Sequence, residues 1–109
     1  PPQLAPVKVA VLPLVKKDRM PEKAMEIFHQ LKLEFNCQYD DKDAIGRRYR
    51  RQDAIGTPYC ITIDNESLEN NTVTIRERDT MKQERVDINH IIQVVKDKVD
   101  ITPLLKNLV

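Results

Sequence analysis

The stretch TVTIRERDTMKQERV, residues 72–86, begins as a strand and then fills with charge. Strand alternation puts Thr74, Arg76 and Arg78 on one face and Val73 and Ile75 on the other, with Glu77 continuing the apolar line toward the rim. Two guanidinium groups therefore project from one side of the strand's end, with Asp79 and Glu77 beside them. Arginine supplies rigid paired N–H donors, and Asp and Glu supply acceptors. Such a mixture complements an edge that itself carries donors and acceptors. Cytosine is one, with an N4 donor next to N3 and O2 acceptors. Unpaired bases in an RNA loop present edges of this kind. A charged strand end that keeps a sheet edge soluble is the plainer alternative. These residues alone leave both open.

A second cluster, Arg47, Arg48, Arg50 and Arg51, places four arginines in five residues. On a helix, Arg47, Arg50 and Arg51 fall within one turn, and like charges at that spacing repel by a few tenths of a kcal/mol per pair. Asp43, four residues before Arg47, and Asp53, three after Arg50, offset part of this. The cluster is either a solvated, salt-bridged helix face or a phosphate-binding face near a helix N-terminus. Gly46 leans toward the second, since an early helical glycine costs about 1 kcal/mol against alanine unless something approaches closely. Tyr49 and Tyr59 are expected to pack in the core or at its rim, with stacking on bases as the alternative. Met81 reads equally as a mobile contact or a surface residue.

Little else offers chemistry. The chain has two glycines, so no phosphate-cradling loop, and no nucleophile–base arrangement stands out. Cys37 and Cys60 sit in strand-like runs and are expected to be buried reduced thiols. His29 and His90 lie in separate helical segments without further ligands at metal spacing, which argues against zinc. With 18 basic and 17 acidic residues, the net charge of +1 argues against binding by non-specific phosphate attraction. A local basic patch stays compatible with that sum. No apolar run approaches the ~20 residues of a membrane span. A signal-peptide pattern is absent too. The 109 residues suit one domain with one core, and the opening Pro1-Pro2, without Met, predicts a piece of a longer protein.

These side chains must be positioned by surrounding elements. Residues 7–14 read as a strand covered on both sides, Val7, Val9 and Val11 on one face and Ala10 and Leu12 on the other. A helix follows over 20–35, with Pro21 in its first turn and Ala24, Ile27, Phe28 and Leu31 as its core stripe. Residues 36–41 form a short strand. The second helix spans 42–56, with Asp43 as N-cap and Gly56 before Thr57-Pro58 as its stop. Residues 58–64 and 72–78 make two strands in hairpin relation, and 65–71 a polar turn. Residues 83–88 make a fifth strand. A last helix covers 89–99, with Ile88, Ile91, Ile92, Val95 and Val99 in register, and 101–109 form a short apolar tail. The order β-α-β-α-β-β-β-α implies α/β architecture, a mixed sheet with helices on both faces. Right-handed crossovers place the first strand centrally.

The segments APVKVAVLPL, IGRRYRRQDAIGTPYCITID and TVTIRERDTMKQERV closely resemble the C-terminal anticodon-binding domain of glycyl-tRNA synthetases of the dimeric class II type. The resemblance runs from about Leu4 to the last helix. The strand ending Arg-x-Arg-Asp is shared with threonyl, prolyl and histidyl relatives, and Met81-Lys82-Gln83 marks the glycyl version. What this implies is a three-layer α/β/α fold with a five-stranded mixed sheet, order 2-1-3-4-5 with strand 4 antiparallel, and three flanking helices. Residues 1–109 would be one anticodon-binding domain, 1–6 the linker from a catalytic domain. The implied partner is the anticodon stem-loop of glycine tRNA, not DNA and not a membrane. Carried over residue by residue, Arg76, Arg78, Asp79 and Gln83 match the anticodon-contact motif. Arg47, Arg48, Arg51, Lys82 and Arg85 become possible tRNA phosphate contacts. Glycine anticodons share two cytosines, which suits the Arg-plus-carboxylate chemistry above. No catalytic residue, metal or cofactor belongs to this stretch. ATP and magnesium belong to the parent ligase, a cytoplasmic homodimer, and the separate piece is expected to be an inactive monomer. A synthetase-derived accessory module without ligase activity is one rival. The other is a receiver-like signalling domain using Asp40, Asp41 and Asp64 around magnesium.

Overall fold

A computed structural model describes residues 7–108, with side chains as far as Val99; the expected linker at 1–6 lies outside them. The elements are β1 (Val9–Pro13), α1 (Met20–Leu31), β2 (Cys37–Tyr39), α2 (Ile45–Ala54), β3 (Tyr59–Ile63), α3 (Asn65–Asn70), β4 (Thr72–Glu77), β5 (Gln83–Asp87), a 3-10 turn (Ile88–His90) and α4 (Ile91–Leu108). The strands form one mixed sheet in the order β2-β1-β3-β4-β5. β1 pairs in parallel with β2 and β3, and β4 runs antiparallel to both β3 and β5. β1 is thus interior, while β3 holds the centre.

Period-two alternation divides the core between the two faces. Val9, Val11, Ile61, Ile63, Val73 and Ile75 pack against Ala24, Ile27 and Leu31 of α1 and Ile91, Val95 and Val99 of α4. Ala10, Leu12 and Cys60 face the other way, against Ile45 and Tyr49 of α2. Fully burying one such aliphatic side chain contributes about 1.5–3 kcal/mol, so the α1/α4 side carries most of the apolar stabilisation. The two thiols are free. Val9 is in register with Cys37 and Ala10 with Cys60, so the thiols point to opposite faces and cannot pair. Burial pushes Cys60 up to about 12.

The structure departs from the sequence expectations by one added helix and at three element ends. Residues 65–71 are not only a turn. Asp64 caps a short helix, accepting from the Ser67 N–H at 3.1 Å while its own N–H donates to the Ser67 hydroxyl at 2.9 Å. That reciprocal box stabilises a helix too short to show apolar periodicity. Asp43 is not the cap of α2: Ala44 takes that position without a side-chain bond. Asp43 instead stands just outside, at φ 63°, and its carboxylate accepts from Arg51 at 2.6 Å. α1 stops at Leu31, short of the expected residue 35. α4 continues through 100–108 rather than ending near Val99. With α3, four α-helices flank the sheet instead of three.

Candidate nucleic-acid interface

The end of the β4–β5 hairpin gathers five of the expected site residues. Tyr59 is in register with Glu77, and Arg76 with Gln83, so the hairpin turn over residues 78–82 lies at the start of β3, beside the C-terminus of α2. The Arg78 N–H donates to the Pro58 carbonyl at 2.9 Å, which closes the strand end onto the loop leaving α2.

Arg76 is buried, 6% exposed. Its two terminal nitrogens donate to the two carboxylate oxygens of Asp53 at 3.0 and 3.1 Å. Its guanidinium carbon lies 4.9 Å from the centre of the Tyr49 ring, whose hydroxyl hydrogen-bonds Thr62 at 2.5 Å. The Asp53 hydrogen bond outweighs burial and raises Arg76 above the usual arginine range, so the group is a permanent cation. Tyr49 is therefore a platform for this arginine rather than for a base.

Arg78 is the exposed partner of the pair. Its Nε donates to the Asp53 backbone carbonyl at 2.9 Å, and one terminal nitrogen donates to the Asp79 carboxylate at 3.0 Å. The other terminal nitrogen has no partner among the described residues. Asp79, Lys82 and Gln83 are exposed, and Lys82 makes no ion pair among the described residues. Met81, at φ 59° and 66% exposed, forms the outer corner of the turn, its N–H donating to the Glu77 carbonyl. A donor fork, a carboxylate, an amide and an ammonium thus stand exposed at the hairpin end, groups whose chemistry suits a base edge and a neighbouring phosphate.

The remaining expected residues have other surroundings. Arg85 faces the same side of the sheet, opposite Thr74, but all its nitrogens are engaged: Asp64 at 2.5 and 3.3 Å, Thr72 at 3.0 Å and Glu66 at 3.1 Å. Arg51 bridges Asp40 and Asp43, both at 2.6 Å. Arg48 is 2% exposed and donates to the backbone carbonyls of Pro13, Leu14 (3.0 Å), Asp40 (3.5 Å) and Asp43 (3.3 Å). A guanidinium so enclosed ties α2 to the ends of β1 and β2 and presents nothing to a phosphate. Arg47 is exposed and unpaired among the described residues, as is Arg50. The offsets expected within α2 therefore do not form: Asp43 pairs with Arg51 rather than Arg47, and Asp53 with Arg76 rather than Arg50.

Two residues gain importance. Asp53, read first as a local offset, is the junction between α2 and the hairpin. Arg50, not among the expected contacts, keeps a guanidinium unpaired among the described residues. Helical spacing carried part of this: Ile45, Arg48, Tyr49 and Gln52 stand at i, i+3, i+4 and i+7, which assigns Arg48 to the buried stripe. The Asp53–Arg76 pair, spanning 23 residues, left no such trace.

The receiver-like alternative loses its site. Burial opposes ionisation of Asp40, but hydrogen bonds from Arg51, the Lys42 N–H and Gln52 outweigh it and hold the carboxyl below the usual range. Asp64 caps α3 and pairs with Arg85. Among the described residues no group of three His, Cys, Asp or Glu side chains is placed to hold a metal ion, and no helix is long and apolar enough to cross a membrane.

Comparison with known proteins agrees with this fold. The chain is 57% identical over 98 residues to a glycine–tRNA ligase of Rhodopirellula baltica, covering 90% of this chain and 18% of that protein. It is 55% identical to one of Borrelia hermsii, covering 90% and 22%. A Streptomyces coelicolor glycine–tRNA ligase is 56% identical over 90 residues, 83% of this chain and 20% of that protein. The chain thus spans about a fifth of the length of these relatives. Among solved structures, the prolyl-tRNA synthetase of Cryptosporidium parvum shares the fold with a TM-score of 0.84 at 20% identity, over 92% of this chain and 22% of that one. The RNA binding domain of a threonyl-tRNA synthetase from Cryptosporidium parvum Iowa II does so with a TM-score of 0.80 at 23% identity, over 89% and 24%. The model of the anticodon binding domain matches residues 8–98, from the start of β1 into α4, and the chain belongs to that family.

Proposed function

We propose that this chain is the tRNA-recognition part of a glycine–tRNA ligase and grips the anticodon stem-loop of glycine tRNA through the end of its β4–β5 hairpin. The observation that carries the reading is the Arg78–Asp79 pair, an exposed donor fork beside an acceptor, held against α2 by the Asp53 carbonyl. Identities of 51–57% to glycine–tRNA ligases support the choice of amino acid. In this reading Arg78, Asp79 and Gln83 face splayed anticodon bases. Arg47, Arg50 and Lys82 neutralise phosphates. Arg76 acts from behind, as a buried support. Recognition involves no chemistry here. The parent enzyme, a cytoplasmic homodimer, would activate glycine with ATP and magnesium in a separate domain, and this chain alone would not aminoacylate.

The test is a titration of the chain with a glycine-tRNA anticodon stem-loop and with a copy whose two shared cytosines are replaced by uridines, each at two salt concentrations. Cytosine-dependent binding is the expected result. Equal binding to both, vanishing with salt, would leave a phosphate-gripping surface and refute base readout.

A further inference from the structure

Asp53 is unusual for its place. It lies in the last turn of α2, where the helix dipole disfavours a negative charge. What offsets that is tertiary. Its carboxylate receives the buried Arg76 through two parallel bonds, a geometry that fixes both position and plane. Its backbone carbonyl receives Arg78 Nε at 2.9 Å as well as the Gly56 N–H at 3.1 Å. Gly56, at φ 83°, turns the chain out of the helix here. One residue thus holds both arginines of the Arg-x-Arg motif, one through its side chain and one through its main chain.

We infer that Asp53 is the positioning residue for anticodon readout: by locking Arg76 beneath and Arg78 above, it fixes the direction in which the Arg78 fork meets a base. The inference rests on the recognition reading above and adds the residue that sets its precision. A long exposed arginine samples many rotamers, and ordering it on binding opposes affinity. With Nε tied to a helix end and Arg76 packed between Tyr49 and Asp53, that ordering is in place before RNA arrives. Misplacing a bidentate donor harms discrimination among bases more than attraction to phosphates, which tolerates displacement.

The experiment uses Asp53→Asn, which keeps the backbone carbonyl and the side-chain volume but removes the carboxylate, alongside Asp53→Glu, which restores it. The same two stem-loops are titrated. The expected result for Asp53→Asn is a fall of about tenfold in the preference for the cytosine loop, with the uridine copy bound as before and the same salt dependence. Asp53→Glu should recover part of the preference. An Asp53→Asn chain that discriminates as well as the original, or loses affinity for both loops equally, overturns the inference. If the unpaired Arg76 charge prevents folding, Asp53→Asn combined with Arg76→Met removes both charges, and the same comparison decides. An original chain with no cytosine preference would instead refute the recognition reading itself.

Discussion

Arg48→Ala separates structural from RNA-binding arginines within a single run of sequence. The side chain is 2% exposed and no carboxylate among the described residues meets its charge; four backbone carbonyls do, those of Pro13, Leu14, Asp40 and Asp43. Hydrogen bonds to a charged group contribute about 1.5–3 kcal/mol each. Pro13 and Leu14 accept the closest pair, so their loss costs about 3–6 kcal/mol. Water entering the vacated space can bond those carbonyls again and lowers the figure toward about 3 kcal/mol. Against a typical total of about 5–15 kcal/mol, that is a large share. With a urea m-value of about 1–3 kcal/mol per molar, the unfolding midpoint should fall by at least about 1 M. Arg48→Lys should lose an intermediate amount, since one ammonium cannot replace a fork. Arg47→Ala, one residue away and exposed, should stay within about 0.5 kcal/mol of the parent chain. Urea unfolding followed by circular dichroism measures all three. An Arg48→Ala chain of undiminished stability that has lost RNA binding would refute this assignment and return Arg48 to the phosphate contacts.

Arg47→Ala and Arg50→Ala should weaken binding to the cytosine and uridine loops alike, each lowering the log–log salt slope by about one; a base-dependent loss at either would move readout onto α2. Asp64 gives an acid-sensitive hold on α3 and β5: burial opposes its ionisation, while Arg85 and the Ser67 N–H outweigh that and keep its carboxyl below the usual range. A carboxyl depressed on folding adds stability that is complete above its unfolded value near pH 4 and lost as pH falls through the folded one. Urea midpoints taken between pH 6 and pH 2.5 should therefore drop more steeply for the original chain than for Asp64→Asn, and parallel curves would contradict this. Gly46 lies in the first turn of α2, and beyond its own stretch of helix nothing among the described residues is within 4 Å of where a Cβ would stand. Gly46→Ala should thus raise stability by about 0.5–1 kcal/mol; combined with weakened RNA binding, that gain would show a backbone approached closely by the ligand.

Strand alternation carried the sheet and most of its core. Val9 and Val11 against Ala10 and Leu12, and Val73 and Ile75 against Thr74 and Arg76, fall on the faces their spacing assigns. Crossover handedness and the hairpin relation of 58–64 and 72–78 carried part of the strand order; the full order was legible only through resemblance, because periodicity does not say which neighbour a strand takes. α3 stayed hidden because Asn65–Asn70 has one large apolar residue, Leu68, and no stripe. Its signal was the Asp64…Ser67 spacing of a capping box followed by an Asn at the left-handed stop. At the hairpin end the exposed members were readable: Arg78, Asp79, Lys82 and Gln83 are all open to solvent there. The buried members were not. Arg76 and Arg78 look equivalent by alternation, yet one lies under Tyr49 and Asp53 and the other is outside. The difference is set by a helix end that arrives from 23 residues away.

The near-neutral charge follows from the same arrangement. Asp53, Asp64, Asp40 and Asp43 hold Arg76, Arg85 and Arg51, so these four carboxylates fix arginines in place instead of opposing RNA across the surface. Among the described residues at α2 and the hairpin, three cations stay unpaired, Arg47, Arg50 and Lys82, against the one carboxylate of Glu77. The sum of +1 therefore understates the local attraction while still limiting long-range, sequence-blind binding. A recognition module gains from that balance. Non-specific affinity sets the background against which a base contact must be felt, and each good bidentate contact adds only about 1–3 kcal/mol of discrimination. Holding Arg78 rigidly at a rim with few free cations lets such a contact decide which loop is bound. More free arginines would tighten every complex and narrow the relative advantage of the right one.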